Sequence, residues 1–260
     1  YFRGWYVYAS AAFMVMSLAL ALIPGTGRIR LGADDAKPEF SRFAWFSMMF
    51  GAGIGVGMLT YSTAEPLAHF ANNPDVIMGA TTAFDRDNLA AAYKWTLLHY
   101  GLTPWGCYAI VGMSLAYFAY RRDMPLTIRS PFTAVLSAES GRRVGAVVDT
   151  AAILATLIGI GVTIGYGVNQ LTFGIDQITN WQWLVTDGKP SLTALSLAVI
   201  FLTLAAMLSA LSGIGRGIRW LSNLNMALSW LLLVIFIVFG ATTFAAEMFV
   251  VGLTEYLQTI

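Results

Sequence analysis

The stretch Phe43–Ala64 reads FAWFSMMFGAGIGVGMLTYSTA and contains no Asp, Glu, Lys or Arg. A helix needs roughly 20 apolar residues to cross the hydrocarbon core of a bilayer, and this stretch is long enough to do so. Five further gaps between charged residues run over 4–27, 95–120, 150–175, 190–215 and 220–246. In lipid, only helices and closed barrels satisfy their backbone, and the short alternating segments of a barrel are absent from the sequence. The sequence therefore predicts an all-α membrane protein with six spans.

The composition of the whole chain supports a membrane protein. The 260 residues are 57% hydrophobic and 11% charged, whereas soluble domains carry about 25% charged residues. The net charge of +1 gives no reason to expect nucleic acid as a partner. One cysteine and two histidines, Cys107, His69 and His99, exclude a disulfide framework and a His/Cys metal cluster. The spans contain no nucleophile–base pair, so we expect no enzyme.

Lysine and arginine residues are distributed unevenly between alternate loops. Eleven of them follow the first, third and fifth gaps, and four lie in the other loops and at the N-terminal end. Cytoplasmic loops carry the excess of positive charge, so the first group of loops is predicted to be cytoplasmic. We expect a multi-pass protein of the bacterial inner membrane. The chain starts at Tyr1 rather than Met, and we expect an odd number of spans to precede it in an intact protein with a cytoplasmic N-terminus.

Four glycines alternate through the second gap at Gly51, Gly53, Gly55 and Gly57. Each glycine inside a helix costs about 1 kcal/mol relative to alanine. One interpretation is close helix packing, since 51/55 and 53/57 are pairs of small residues four apart. However, glycines at every second position fall on several helix faces. This pattern favours an unwound stretch at mid-membrane, where free carbonyls can bind a cation and free N–H groups can bind a carboxylate.

An aromatic group lies in the third gap around Pro104, which predicts an interruption of that span. The group consists of Tyr100, Trp105 and Tyr108, and the last two share a helix face because they are three residues apart. Aromatic faces attract ammonium groups. The alternative is that these side chains anchor the span at the membrane interface.

A stripe of three residues marks the fourth gap, at Thr156, Ile160 and Thr163. Threonine hydroxyls that face a cavity can coordinate sodium, although hydroxyls in helices also bond to the carbonyl four residues earlier. His99 is the only ionisable residue inside the six gaps. Proton-coupled transporters need a buried carboxylate or a histidine relay, and a single histidine such as His99 is more often a hydrogen-bonded structural residue than a relay. The sequence therefore favours sodium coupling or exchange.

Several blocks of the sequence resemble the betaine/choline/carnitine transporter family. They are RIRLGADDAKPEF at 28–40, MMFGAGIGVGM at 48–58, AEPL at 64–67, PWGCYAIVG at 104–112 and SALSGIGRGIRWLSNLNM at 209–226. The resemblance implies a LeuT-like fold with two inverted five-helix repeats preceded by extra helices.

On that basis the chain divides into three parts. Residues 1–42 are a leading span with a cytoplasmic loop, 43–247 are the first five-helix repeat, and 248–260 begin an amphipathic segment on the outer face. The spans of the repeat are expected near 43–64, 95–120, 150–175, 190–215 and 220–246. Because the second repeat is missing, we expect the isolated chain not to transport.

The resemblance also assigns roles to particular residues. The substrate is expected to meet the backbone of the glycine stretch and the aromatic box, at Ala52, Gly53, Gly55, Gly57, Tyr100, Trp105 and Tyr108. Tyr100 stands where the family commonly has Trp. Sodium ligands are expected at Gly51 and Ile54, through their carbonyls, and at Thr156 and Thr163.

Two positions depart from the family's patterns. Two family threonines of one sodium site correspond to Thr156 and Ile160, and Ile160 has no side-chain oxygen, so Thr163 would substitute from the same stripe. Proton-linked choline carriers place Asp where this chain has Gly57, which again favours sodium.

These features together predict a secondary active transporter, a sodium-coupled symporter. It would import glycine betaine or a related quaternary ammonium or sulfonium compatible solute by alternating access. Na⁺ is then the coupling ion, and the partners are the zwitterionic or cationic solute, membrane lipid and, by analogy with the family, two further copies in a homotrimer. The alternatives are an ion-independent substrate/product exchanger of the carnitine type and, from another class, a passive channel.

Overall fold

The computed structural model describes residues 2–136 and 138–259. Tyr1 and Ile260, the limits of the first and last predicted segments, lie outside the described residues. The described chain is mostly helical, in agreement with the prediction. Its α-helices are α1 Phe2–Leu22, α2 Arg42–Gly53, α3 Val56–Ala71, α4 Pro74–Ile77, α5 Leu89–Tyr100, α6 Leu102–Ala116, α7 Ser130–Val135, α8 Ala138–Thr179, α9 Leu192–Leu211, α10 Arg219–Phe239 and α11 Thr242–Thr259.

The other regular elements are short. They are the 3₁₀ turns Thr26–Arg28 and Arg86–Asn88, the π-helical turns Tyr117–Arg121 and Ile214–Ile218, and an antiparallel hairpin of β1 Val185–Thr186 and β2 Lys189–Pro190. The last helix, α11, begins upstream of the predicted segment 248–260.

Four described helices are long and apolar enough to cross a bilayer, over Gly4–Leu22, Glu139–Thr179, Leu192–Leu211 and Ile214–Phe239. A fifth candidate is the pair Arg42–Gly53 and Gly57–Ile77, which is bent by 59°. The sequence predicted a sixth span over 95–120, and the structure divides that region between α5 and α6.

The predicted interruption of that span at Pro104 is wrong. The helix breaks at Gly101, and Pro104 lies in the first turn of α6. Proline is tolerated there because the N–H groups of the first turn have no partner within the helix. At Gly101 the neighbouring Leu102 N–H donates instead to the Tyr256 hydroxyl of α11, at 2.8 Å.

Contacts between residues group the chain into two compact units. The first contains the residues up to Lys37, Glu65–Ala155 and those from Ala245 onward. The second contains Pro38–Ala64 and Thr156–Phe244.

In the first unit, α1 packs against α6 with their backbones in contact. A Cβ atom added to Gly106 would lie 2.6 Å from the Cα atom of Met14. The Ser17 hydroxyl donates to the Gly106 carbonyl at 2.8 Å. Only glycine allows this approach, so Gly106 fixes the register between the two helices.

A buried polar cluster organises the turn after α3. The Asn73 side chain accepts hydrogen bonds from the N–H groups of Asp75 and Val76 and thereby caps α4. The Asn73 amide donates to the Asn88 carbonyl oxygen at 2.7 Å, and the Asn88 amide donates to the Phe70 carbonyl at 2.8 Å. Both asparagines are fully buried, so their polar groups need these partners.

The distribution of polar and apolar side chains is that of a protein whose solvent is lipid. The largest fully buried side chains are all polar: Asn73, Asn88, Thr172, Ser47 and Ser130. Large apolar side chains cover the exterior instead, as on α10, where Leu231, Phe236 and Phe239 are exposed. Lipid tails are as apolar as these side chains, so helix association depends on close packing and hydrogen bonds.

Candidate functional site

The glycine stretch breaks its helix, as the sequence predicted. Helix α2 ends at Gly53 and α3 begins at Val56. Ile54 takes φ −101° and ψ 88°, outside the helical range, while its N–H still bonds to the Phe50 carbonyl at 2.7 Å. The Gly55 carbonyl accepts the Leu59 N–H at 3.2 Å, which starts the next helix.

Two backbone oxygens at the break have no hydrogen-bond partner among the residues that the structure describes. Among the described residues, no N–H or side-chain donor bonds to the carbonyl of Gly51 or of Ile54. These are the two carbonyls predicted to bind sodium. Free carbonyls at membrane depth are tolerated where they line a cavity, and such oxygens are suitable ligands for a hard cation.

A cavity of about 420 Å³ lies against the break. On one side it is lined by residues of the break, including Gly51, Ile54 and Gly55, and on the other by Ser222 and Asn225 of α10. A Cβ atom at Gly51 would lie 3.4 Å from the Ser222 hydroxyl oxygen and 3.9 Å from the Asn225 amide nitrogen. The cavity is therefore lined by residues of the break, by two neutral polar side chains and by the apolar side chains of Leu59 and Leu221.

The sequence analysis missed Ser222 and Asn225. A signal was present, because Ser222, Asn225 and Ser229 follow i, i+3, i+7 spacing and form one polar stripe on the apolar helix α10. The stripe alone does not say which helix it faces. The contact with Gly51 supplies that information.

The other glycines of the stretch have room around them. A Cβ atom at Gly55 or Gly57 would meet no atom within 4 Å. Ala52 is exposed, and Gly53 is half-buried. Among the described residues, no neighbouring helix therefore packs closely against Gly55 or Gly57, as the close-packing interpretation would require. A role of this backbone in binding substrate stays a prediction.

The stripe on α8 lies in the same unit as the break. The Thr163 hydroxyl donates to the Gly159 carbonyl at 2.9 Å, which is the local bond considered as the alternative. A hydroxyl that donates its proton in this way keeps its lone pairs for a cation, so the bond leaves Thr163 able to act as a ligand. Ile160 is half exposed on the same helix, and the role of Thr156 stays a prediction.

Polar contacts join α8 to the first turns of α3. The hydroxyls of Tyr61 and Tyr166 are 2.7 Å apart, and their rings meet edge to face. The Gln170 amide donates to the Thr60 hydroxyl. Helix α8 thus lies beside α3 directly after the break.

The aromatic group belongs to the first unit. The indole N–H of Trp105 donates to the Tyr100 carbonyl at 3.0 Å. The rings of Trp105 and Tyr108 are 5.5 Å apart between centroids and tilted by 41°. The structure thus brings the three predicted residues together at the start of α6, with 37% of Trp105 and 67% of Tyr108 exposed. Their contact with a substrate stays a prediction.

The histidine inside the third gap has an acidic partner. His99 Nδ1 lies 2.6 Å from Glu65 Oε1, and the same oxygen lies 3.5 Å from Nε2 of His69. This agrees with the interpretation of His99 as a hydrogen-bonded histidine. Glu65 belongs to the AEPL block, so this block connects the end of α3 to α5.

Comparison with known proteins identifies the family of the chain. Residues 1–260 match BCCT, the betaine/carnitine/choline family transporter group. The chain belongs to this family. The resemblance stated from the sequence blocks is therefore confirmed, and the chain is a mostly helical membrane protein of a transporter family.

Three relatives illustrate the BCCT match. The chain is 36% identical over 256 residues to the high-affinity choline transport protein of Escherichia coli strain K12, covering 98% of the chain and 36% of that protein. It is 37% identical over 257 residues to the osmo-dependent choline transporter BetT2 of Acinetobacter baylyi, covering 99% and 36%. It is 34% identical over 259 residues to the glycine betaine transporter OpuD of Bacillus subtilis, covering 99% and 48%. The chain thus spans between about a third and a half of these relatives.

Proposed function

We propose that this chain contains the first repeat, with one leading span, of a sodium-coupled symporter that imports glycine betaine or a related quaternary ammonium or sulfonium solute. The observation that carries the proposal is the broken helix: among the described residues the carbonyls of Gly51 and Ile54 have no hydrogen-bond partner, and both residues line a cavity with Ser222 and Asn225. Broken helices at mid-membrane hold ions and substrates in secondary transporters because their backbone groups are free to bind.

The substrate class is supported by the aromatic group and by the relatives. Choline and glycine betaine, named for the relatives, both carry a trimethylammonium group. The faces of Trp105 and Tyr108 are exposed and attract such a cation. As a separate part of the proposal, N–H groups of the glycine stretch are able to bind a carboxylate.

The architecture of the whole transporter is part of the proposal. We infer a LeuT-like arrangement, in which an inverted second repeat outside this chain completes the substrate and sodium sites. The protein lies in the bacterial inner membrane as a homotrimer. Sodium bound at the break favours the outward-open state, and substrate favours the same state, which couples their transport.

Uptake of labelled glycine betaine tests the proposal. The intact transporter is reconstituted into liposomes, and uptake is measured under an inward sodium gradient, a potassium gradient and a proton gradient. We expect accumulation with sodium alone. Uptake driven equally well by the proton gradient would contradict sodium coupling.

A pair of tryptophan variants tests the aromatic site in the same assay. Trp105→Leu is expected to raise the half-saturating concentration of betaine about tenfold or more, since one cation–π face is worth about 2 kcal/mol when desolvated. Trp230→Leu, at an exposed position of α10, serves as the control and is expected to transport normally. Equal losses in both variants would remove the aromatic site from the proposal.

A second candidate is an ion-independent exchanger of the carnitine type. Ile160 favours it, because it places no oxygen between Thr156 and Thr163 in the stripe on α8. Liposomes loaded with unlabelled betaine distinguish the two: an exchanger takes up label without sodium and at an unchanged rate when sodium is added.

For a symporter, we expect Ile160→Thr to increase the apparent sodium affinity, and for an exchanger no effect.

A further inference from the structure

Two adjoining cavities lie where α1 and α6 end. One, of about 460 Å³, is lined by charged residues that include Arg28, Arg30, Asp34 and Arg121. The other, of about 410 Å³, is lined mainly by apolar residues of both helix ends, such as Leu20 and Met113. Ile29 and Tyr117 line both cavities, so a basic cavity and an apolar cavity lie directly beside each other.

The helices around this space run in the same direction. Gly106 of α6 contacts Met14 of α1. Further toward the C-terminal end of both helices, Ala21 and Ser114 line the apolar cavity together. This end of α1 and α6 is the one predicted to be cytoplasmic. The apolar cavity lies between the ends of α1 and α6, and the basic cavity lies in the loop that follows α1. With the predicted orientation, this loop is expected at the depth of the cytoplasmic lipid headgroups.

Arg121 holds the loop in place. It donates to the Gly32 carbonyl at 3.0 Å and pairs with Asp34 at 2.6 Å. The hydrogen bond and charge of Arg121, with the charge of Arg30, lower the pKa of the Asp34 carboxyl below its usual range. Asp34 is therefore ionised and neutralises one of the three guanidinium groups.

The other two guanidinium groups are not neutralised. Arg30 bonds to the backbone carbonyl of Asp34 and makes no ion pair of its own within the described residues, so Asp34 is the one carboxylate beside three guanidinium groups in the lining. Arg28 makes no ion pair within residues 2–136 and 138–259. The basic cavity carries a surplus of positive charge at its mouth, and its complement is an anion, of which phosphate is a strong acceptor for arginine.

We propose that this paired cavity is a binding site for one anionic phospholipid of the cytoplasmic leaflet. The phosphate lies between Arg28 and Arg30, and an acyl chain lies in the apolar cavity between the ends of α1 and α6. A free phosphate would fill only the basic end, and a zwitterionic lipid would bring its own cationic headgroup beside both arginines. Basic pockets between membrane helices on this side are a recurring site for anionic headgroups.

The site is tested by titrating phosphatidylglycerol or phosphatidylcholine into the delipidated intact transporter and measuring bound lipid by native mass spectrometry. We expect one phosphatidylglycerol to bind more tightly than phosphatidylcholine. Arg28→Gln/Arg30→Gln is expected to weaken its binding about tenfold or more, because each arginine near an anionic lipid contributes about a factor of five. Lys37→Gln/Arg42→Gln removes the same charge from exposed positions that line neither cavity and should change binding less than twofold.

A third variant tests the apolar end. A Cβ atom at Gly27, which lines the apolar cavity, would meet no atom within 4 Å. Gly27→Leu therefore places a side chain in the cavity without disturbing the helix contact, and it should weaken phosphatidylglycerol binding with both arginines present. The melting temperature of each variant without added lipid checks folding.

Three results would overturn the proposal. Equal affinity for the two lipids would show that no anion is recognised. Equal losses in both double variants would show a general effect of charge. Displacement of the lipid by millimolar inorganic phosphate, with no effect of Gly27→Leu, would show a site for small anions.

Discussion

Two helices of this molecule are interrupted at a glycine, and the two breaks differ in what surrounds them. At Gly101, the hydroxyl of the buried Tyr256 accepts the free N–H of Leu102, and a Cβ atom on the glycine would lie 2.7 Å from that hydroxyl oxygen. At Gly55 a Cβ atom would meet nothing within 4 Å, and the nearby residues Gly51 and Ile54 line a cavity.

The difference separates a structural break from a break that can bind a ligand. At Gly101 the neighbouring helix α11 accepts the hydrogen bond of the Leu102 N–H. This break therefore connects α5, α6 and α11, and that N–H is not available to a solute. At the other break, the carbonyls of Gly51 and Ile54 need a hydrogen-bond donor or a cation as a partner when water is excluded. Glycine content alone does not distinguish the two cases; the neighbours do.

The largest difference is expected for alanine at the two glycines. Gly101→Ala should lower the free energy of unfolding by about 3 kcal/mol, because the added methyl group collides with Tyr256 and with the Leu97 carbonyl. Gly55→Ala should change it by less than about 1 kcal/mol, since the position is open. Thermal and denaturant unfolding of the purified proteins measure both. Similar values for the two variants would refute the distinction.

The same pair should show the reverse order in transport. Gly55→Ala is expected to reduce betaine uptake by the intact transporter strongly at normal expression, because the methyl group occupies the open break. Gly101→Ala molecules that remain folded at low temperature should transport. Full uptake by Gly55→Ala would show that the break does not bind the solute.

The next effect concerns the group that seals the break at Gly101. Tyr256→Phe removes the acceptor of the Leu102 N–H and leaves a buried donor unsatisfied, which should cost about 1–2 kcal/mol. Tyr108→Phe is the matched control, because 67% of Tyr108 is exposed, against 3% of Tyr256, and it should stay within about 0.5 kcal/mol of the parent protein. The midpoint of denaturant unfolding measures both, and an unchanged midpoint in Tyr256→Phe would show that the break at Gly101 is not sealed by this bond.

The smallest effect is expected at the cavity beside the open break. Ser222→Ala and Asn225→Ala each remove a polar group that faces Gly51, and each should raise the sodium concentration for half-maximal uptake about fivefold, equivalent to about 1 kcal/mol. Ser229→Ala is the control on the same stripe, since its hydroxyl bonds to the Asn225 carbonyl and does not line the cavity. Unchanged sodium dependence in the first two variants would mean that the cavity does not hold the ion.

Features that depend on local sequence could be predicted. The absence of charge over 190–215 and 220–246 is enough to identify α9 and α10 as membrane helices. Four glycines in seven residues lower helix stability in one place, so the break near Ile54 could also be predicted. Both predictions depend only on the energy of a segment by itself.

Features that depend on distant contacts could not be predicted. The break at Gly101 requires Tyr256, which lies 154 residues from Leu102 along the chain, whereas Pro104 offered a nearby and misleading signal. The position of Ser222 beside Gly51 likewise follows from the packing of α10 on α2. A single sequence shows polar stripes but not the helices that they face.

The contact between Gly106 and Met14 has a mechanical consequence. Two backbones in direct contact, with the Ser17 bond across them, prevent α1 from sliding along α6 by even one residue without a collision. Helix α1 is therefore firmly fixed to α6, and we expect the two helices to move together as one rigid body. A displacement at the Gly101 end of α6 would then be felt at the arginine-rich loop beyond its other end.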